Sequence, residues 1–220
     1  IVVTSSEYSY LAAKYLQVGA NDFIMKPLLL ETFHSRLNVV LETLSLFEKL
    51  QRVANVDFLT NLHNRRYFYE VGAMLFQNAK RKNIRLCTAI IDIDHFKKIN
   101  DSYGHDCGDF VLKTFGQILK MLTRDEDKVV RYGGEEFVTL IRYDEKKDVI
   151  KYLKRLKNLI RKNNFVYNNT KMKIQFCAGV ALRTNYESYS DTINYADKLL
   201  YKAKHTGRDK IILDDDNTII

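Results

Sequence analysis

The stretch KVVRYGGEEFVTLIR, Lys128 to Arg142, constrains the fold of this chain more than any other. Two runs rich in β-branched and aromatic residues flank a Gly-Gly pair, the pattern of antiparallel strands joined by a tight turn. A plain turn accounts for Gly133 and Gly134. It does not account for Glu135 and Glu136, because adjacent carboxylates at a hairpin tip repel unless a cation sits beside them. The second constraint lies upstream. RLCTAIIDID, Arg85 to Asp94, is an apolar run ending in aspartates, as expected of a buried strand. If hairpin and strand share one sheet, Asp92 and Glu135 meet at one end of it.

The remaining elements follow from hydrophobic period. Residues 1–5 (IVVTS) predict a short buried strand and residues 7–18 a helix; GANDFIMKP predicts a turn and a strand. A helical pattern without a breaker runs from Leu28 to about Val53. Leu37, Val40, Leu41, Leu44, Phe47 and Leu50 recur there at three- and four-residue steps, in an imperfect phase over a few turns that is compatible with a dimerising coiled coil but does not demonstrate one. Beyond Asp57 the pattern predicts helices over Arg65–Lys82, His95–Tyr103, Phe110–Leu122, Glu145–Lys162 and Ser190–Lys204. It places further strands at Lys173–Leu182 and Lys210–Leu213. The order from Leu86, β-α-α-β-β-α-β-α-β, fits an α+β fold, a mostly antiparallel sheet of the split βαβ type covered by helices.

Charge and cysteine usage narrow the function classes. The net charge of +8 is spread along the chain, which suits a solvated lysine-rich surface or an anionic partner such as a nucleotide. Neither a helix-turn-helix nor an aromatic platform points to nucleic acid. The three cysteines, Cys87, Cys107 and Cys177, are far apart and form no CxxC pair. A zinc site or disulfide framework is not expected, and a reducing cytoplasmic compartment is. No apolar run approaches the roughly 18 residues of a membrane span. The chain opens on IVVTSS with no basic n-region, so it reads as a piece of a longer protein.

Asp92 and Glu135, with a backbone carbonyl and water, form the oxygen shell that Mg²⁺ favours while it keeps positions for substrate phosphates. Asp94 reads equally well as an N-cap of the following helix. At that helix start the backbone N–H groups of His95 and Phe96 point toward an anion, and Lys97 adds charge one turn in. Asn100 and Asp109 are polar groups of the kind that read a guanine edge, or local caps of helix and loop.

From Asp57 to about Leu213 the chain resembles the GGDEF family, the diguanylate cyclases. DFLTNLHNRRYF resembles the family's opening DxLTGLxNRRxF, with Asn61 for the usual glycine. DIDHFKKINDSYGHDCGD follows its second motif, and RYGGEEF is its signature in the GGEEF form. ADKLLYKAKHTGRDK resembles the closing ADxALYxAKxxGRN, with Asp209 for the final asparagine. The resemblance implies a nucleotidyl-cyclase or polymerase-palm-like βααββαβ sheet over a domain at 51–216. It implies condensation of two GTP into cyclic di-GMP and two pyrophosphates in a homodimer whose two sites face each other. Asp92, the carbonyl of Ile93 and Glu135 would then bind Mg²⁺, with Mn²⁺ as the alternative. Glu136 would lie near the attacking 3′-hydroxyl, making Asp92, Glu135 and Glu136 the catalytic acids. Lys97, Lys204 and Arg208, with the backbone of His95 and Phe96, would hold phosphates, and Asn100 and Asp109 would recognise guanine. RDED supplies Arg124 and Asp127 at the spacing of the family's RxxD product-inhibition site, with Arg155 as a secondary contact. The alternative is a non-catalytic module that binds GTP or cyclic di-GMP.

Residues 1–50 resemble the C-terminal half of a response-regulator receiver plus a linker helix. Thr4 would be the switch hydroxyl, Lys26 the receiver lysine, and Lys26–Pro27 a cis peptide. The phosphoryl-accepting aspartate would precede residue 1, and a sensor kinase would act on the full-length receiver. Two strands of a doubly wound sheet cannot bury both faces alone, so this fragment is expected to be poorly supported or to pack on a partner chain.

Overall fold

The computed structural model describes residues 1–5, 11–182 and 188–214. By contacts the chain divides into two units, Ile1–Val53 and Ala54–Ile220. In the first unit, β1 (Val2–Thr4) pairs in parallel with β2 (Phe23–Met25), with Val2 opposite Phe23. Helix α1 (Ala12–Gln17) connects them; the start of the helix expected over 7–18 lies outside the described residues. The Lys26–Pro27 bond is cis, and the Lys26 amide donates to the Thr4 carbonyl at 2.8 Å. Thr4 and Ile24 are buried, whereas Val3 and Met25 are exposed. Helix α2 (Leu30–Asn55) opens beside an ion pair of Arg36 with Asp22 at 2.7 Å. It leaves Leu41, Leu44, Phe47 and Leu50 exposed.

The second unit is built on a six-stranded sheet in the order β10-β9-β4-β6-β5-β3. Its strands are β3 (His63–Asn64), β4 (Arg85–Ile93), β5 (Lys128–Gly133), β6 (Glu136–Tyr143), β9 (Phe176–Leu182) and β10 (Ile211–Leu213). The four strands β9, β4, β6 and β5 are antiparallel neighbours, and β10 and β3 add parallel edges. The helices are α3 (Arg65–Arg81), α4 (Phe96–Tyr103), α5 (His105–Leu122), α6 (Lys146–Lys162) and α7 (Tyr189–His205). Every residue of β4 except Arg85 is buried, because helices cover both faces of the sheet. Its two-residue period sorts the side chains. Cys87, Ala89, Ile91 and Ile93 join a core with Phe115 and Leu119 of α5 and Leu153 and Leu156 of α6. Leu86 and Ile90 join a second core with Phe68 of α3 and Leu199 and Ala203 of α7. By the same alternation Asp92 belongs to the α7 face. Among the described residues no helix is long and apolar enough to cross a membrane.

Three expectations require correction. Helix α5 starts at His105 rather than Phe110, because the Gly104 backbone, at φ 85°, makes the whole break from α4. The strand expected over 173–182 begins at Phe176, and a hairpin precedes it. This hairpin pairs β7 (Phe165–Tyr167) with β8 (Thr170–Met172). Its two-residue loop, Asn168–Asn169, has φ of 46° and 62°, the left-handed pair of a type I′ turn, which asparagine tolerates. Finally, Asp94 does not cap α4. His95 occupies the cap, at φ 58° and without a side-chain bond, and Asp94 is engaged elsewhere.

Candidate active site

The antiparallel register of β4 and β6 sets Asp92 opposite Glu136. The Ile93 amide donates to the Glu135 carbonyl at 3.3 Å, closing the end of the ladder. Strand and hairpin therefore bring Asp92, Ile93, Glu135 and Glu136 to one end of the sheet. All three acids are raised above the ordinary carboxylate range. For Asp92 the chief cause is burial, opposed by the hydrogen bond and charge of Lys204. For Glu135 and Glu136 it is burial and then repulsion from Asp92, with Lys204 opposing. The Lys204 ammonium, delivered by the last turns of α7, lies 2.6 Å from Asp92 Oδ2. Lys204 thus offsets all three acids, with Arg208 adding at Asp92 and Arg65 at Glu136. Among the described residues no three His, Cys, Asp or Glu side chains converge as a metal cage. The available set is narrower: two carboxylates and a carbonyl, hard oxygen donors crowded past neutrality. That donor set suits Mg²⁺, which retains several waters and needs few protein ligands.

The signature turn differs from a glycine-dictated one. Neither Gly133 nor Gly134 takes a left-handed φ, and a Cβ on Gly134 would meet nothing within 4 Å. Turn chemistry therefore does not require the glycines. Gly134 leaves open space against the backbone, whereas a Cβ on Gly133 would come 3.3 Å from Glu136 Oε2, so its bare backbone makes room for that carboxylate. The turn is held instead by Arg131. Its Nε and one terminal nitrogen donate to the Gly134 carbonyl at 3.1 and 2.9 Å. Its other terminal nitrogen grips both Asp57 oxygens at 3.1 Å. Asp57 also accepts from the Thr60 amide at 2.9 Å and hydroxyl at 2.7 Å. Burial works to raise the Asp57 pKa, but the Thr60 bonds and Arg131 outweigh it and hold the carboxyl below its usual value. A lowered carboxylate pKa stabilises the fold above its unfolded value, and the gain is lost as pH falls through the folded value. Asp57→Asn is thus expected to flatten the acid limb of a melting-temperature profile below about pH 4. A parent and variant with parallel acid limbs would refute this role.

The residues expected to hold phosphate and guanine sit at helix starts and ends. His95 sits exposed at the head of α4, Phe96 is buried beneath it, and Lys97 is exposed. Asn100 on α4 lies over Gly108 of α5, where an added Cβ would come 1.9 Å from Asn100 Oδ1. Asp109 follows on the same turn, exposed. Arg208 is exposed just past α7, at φ 54°, and its charge weakly opposes the rise in the Asp92 pKa. Asp94 anchors this edge: its oxygens accept from the Asp209 amide at 2.8 Å and the Cys177 thiol at 3.0 Å.

Arg124, Asp127 and Arg155 gather elsewhere, around a cavity of about 260 Å³ that Arg142 and Tyr152 also line. Asp127 is buried, and its oxygens accept from the Arg124 and Arg142 amides, each at 3.0 Å. It thus ties the turn before β5 to β6. The Arg124 guanidinium is exposed, 3.7 Å from Glu126.

Sequence reasoning passed over Arg131 and Asp57, although both stand inside quoted motifs. The Asp57–Thr60 spacing was the available signal, since an aspartate can accept from the amide three residues on in the manner of a cap. A family model described as "Diguanylate cyclase, GGDEF domain" matches residues 54–210. Diguanylate cyclase A of Treponema denticola is 31% identical over 173 residues, 77% of this chain and 47% of that protein. Diguanylate cyclase DgcZ of Escherichia coli is 34% identical over 167 residues, 76% of this chain and 56% of its own length. The chain thus spans about half the length of these curated relatives. A crystal structure of the coiled coil and GGDEF domain of DgcB from Caulobacter crescentus, in complex with c-di-GMP, superposes with a TM-score of 0.76. It is 28% identical, and the match covers 84% of this chain and 98% of that one.

Proposed function

The chain belongs to the GGDEF diguanylate cyclase family, and from that membership we propose that it condenses two GTP molecules into cyclic di-GMP, releasing two pyrophosphates. The observation that carries this reading is the meeting of Asp92, Glu135 and Glu136 at one sheet end, flanked by Lys204 and the open backbone of Gly134. Asp92, the Ile93 carbonyl and Glu135 would hold Mg²⁺, or Mn²⁺ in its place. That ion would supply charge neutralisation at the reacting phosphate, which is most of what phosphoryl transfer requires. Glu136 would lie near the attacking 3′-hydroxyl and accept its proton. The 3′-oxygen forms a bond to the α-phosphorus as the bond to pyrophosphate breaks, once in each direction.

Lys97, Lys204, Arg208 and the backbone at His95 and Phe96 serve the phosphates, and Asn100 and Asp109 the guanine. Asn100 is the sensitive member, because it rests on Gly108. Gly108→Ala is expected to keep the fold, since alanine is favoured over glycine inside a helix. It should displace Asn100 and raise the KM for GTP about tenfold, the value of one lost hydrogen bond, with kcat within about twofold. An unchanged KM would remove Asn100 from guanine recognition.

Each site holds one GTP, so two chains must face each other. The exposed Leu41, Leu44, Phe47 and Leu50 of α2 support dimerisation through that helix. The parallel pairing of β1 and β2 across α1 supports a receiver fragment whose intact form answers to a sensor kinase. The test is direct. Purified chain with GTP and Mg²⁺ should yield cyclic di-GMP by mass spectrometry, with a rate rising faster than linearly in protein concentration. A dimeric preparation that makes none, while still binding GTP, would assign the chain to the non-catalytic binding modules.

The Arg124–Asp127–Arg155 cavity is read as the product-inhibition site. Arg124 can stack on or grip a guanine, and its exposed guanidinium carries no part of the fold. Arg124→Ala should leave the initial rate within about twofold, as surface substitutions do, while relieving inhibition by added cyclic di-GMP. Inhibition as strong as in the parent would remove this site.

A further inference from the structure

Three consecutive residues after α7 have left-handed backbones: Gly207 at φ 107°, Arg208 at 54° and Asp209 at 47°. Glycine adopts this conformation freely and aspartate tolerates it, but arginine rarely does, and three such residues in a row call for a restraint from outside the loop. The restraints converge on Asp209. Its amide donates to Asp94 at 2.8 Å. Its carboxylate lies 2.6 Å from the Arg161 guanidinium and 3.5 Å from the Lys157 ammonium. Lys157 also donates to the Asp209 carbonyl. Lys157 and Arg161 are one turn apart on α6, whose Leu153, Leu156 and Ile160 are fixed in the core. Lys157 is itself buried, which lowers its pKa, and the Asp209 charge opposes that. A buried lysine on the apolar face of a helix is costly unless paired, so this arrangement is built around the carboxylate.

We propose that the Lys157–Arg161–Asp209 cluster, backed by Asp94, is a positioning device that fixes the Gly207–Lys210 loop so that Arg208 is aimed at the substrate triphosphate. The cluster touches no reacting atom. It acts through Arg208, whose charge already reaches Asp92. This inference rests on the reading of the site as a triphosphate site, and its effect belongs to binding rather than to the chemical step.

The experiment uses Arg161→Gln, which removes an exposed guanidinium and leaves the core of α6 untouched, with Asp209→Asn beside it. Binding of α,β-methylene-GTP with Mg²⁺ is measured by calorimetry, with GMP as control, in the parent and in the Arg208→Ala background. Arg161→Gln should weaken the analogue about fivefold, the coupling typical of contacting residues, and leave GMP unchanged. Arg161→Lys should recover most of the loss. In the Arg208→Ala background the same substitution should cost nothing further. An equal loss in both backgrounds, or an equal loss for GMP, would overturn the proposal in favour of a merely structural role. Amide hydrogen exchange without nucleotide reads the anchor separately. Faster exchange at Gly207–Lys210 in Arg161→Gln supports it, and unchanged exchange overturns it whatever the binding data. A parent that binds no nucleotide overturns the triphosphate reading, and with it the claim on affinity, even where exchange shows the anchor intact.

Discussion

Glu135→Gln is expected to reduce cyclic di-GMP formation by at least about 10³-fold, the scale set by removing one preorganised electrostatic partner of a transition state. Glutamine keeps the shape of the side chain and removes its charge. The same substitution should raise, not lower, the melting temperature of the metal-free protein. The sign follows from the raised pKa of Glu135, caused first by burial and then by repulsion from Asp92. Whatever stability the group contributes when protonated is lost as pH rises through its folded value, so at neutral pH its charge opposes the fold. Removing the charge relieves that opposition and also removes a ligand for Mg²⁺. The stabilisation that Mg²⁺ gives the parent, by binding the native state alone, should therefore shrink in the variant. Activity falls while intrinsic stability rises, the pattern of a site held under strain for function. A variant retaining more than about a tenth of parental turnover, or one less stable than the parent without metal, would remove Glu135 from the charge cluster.

Much of this site was legible because it rests on two short-range rules. The continuous apolar run made RLCTAIIDID a buried strand, and the Gly-Gly break made Lys128–Arg142 a hairpin. Antiparallel pairing of the two then forces Asp92 opposite Glu136. What stayed hidden depends on contacts between residues far apart in sequence. Asp94 looked like a helix cap, since aspartate before a helix usually is one. Its partners, Cys177 and the Asp209 amide, lie 83 and 115 residues away. Arg131 reads as a strand residue until Asp57, 74 residues earlier, is folded beside it. The β7–β8 hairpin was missed for a different reason. Strands of three residues carry no measurable alternation, and the Asn168–Asn169 turn was the one local signal. The signature glycines show the converse error. Turn propensity accounts for them too easily, whereas their φ angles do not call for glycine; the Glu136 carboxylate beside Gly133 and the open space beside Gly134 are the better explanation.

Gly179→Ala is expected to damage the protein more than any other single methyl added to a glycine of β9 or its neighbours. Gly179 lies in β9 where that strand meets α7. An added Cβ would fall 2.0 Å from the Ala196 carbonyl oxygen and 2.3 Å from the Leu200 nitrogen. Both are backbone atoms inside a helix, so no side chain can rotate out of the way. Helix and strand must separate, breaking the packing of Ala196, Leu199, Leu200 and Ala203 in the second core. The cost should be ~3 kcal/mol or more, beyond ordinary overpacking, because the obstacle is main chain. In a unit of this size that corresponds to a fall in melting temperature of roughly 6–12 °C. The sign is itself diagnostic. In an open position alanine for glycine stabilises by about 0.4–1 kcal/mol through the unfolded chain, and Gly134→Ala, with nothing within 4 Å, is the control. The loss extends to function. Lys204 and the loop bearing Arg208 ride on the end of α7, so a helix lifted from β9 carries both cations away from Asp92. Where Gly179→Ala still folds, it should bind α,β-methylene-GTP at least about tenfold more weakly than the parent, the loss expected from a displaced charged contact. A Gly179→Ala protein that melts with the parent would mean that α7 does not rest on β9 as closely as this geometry requires.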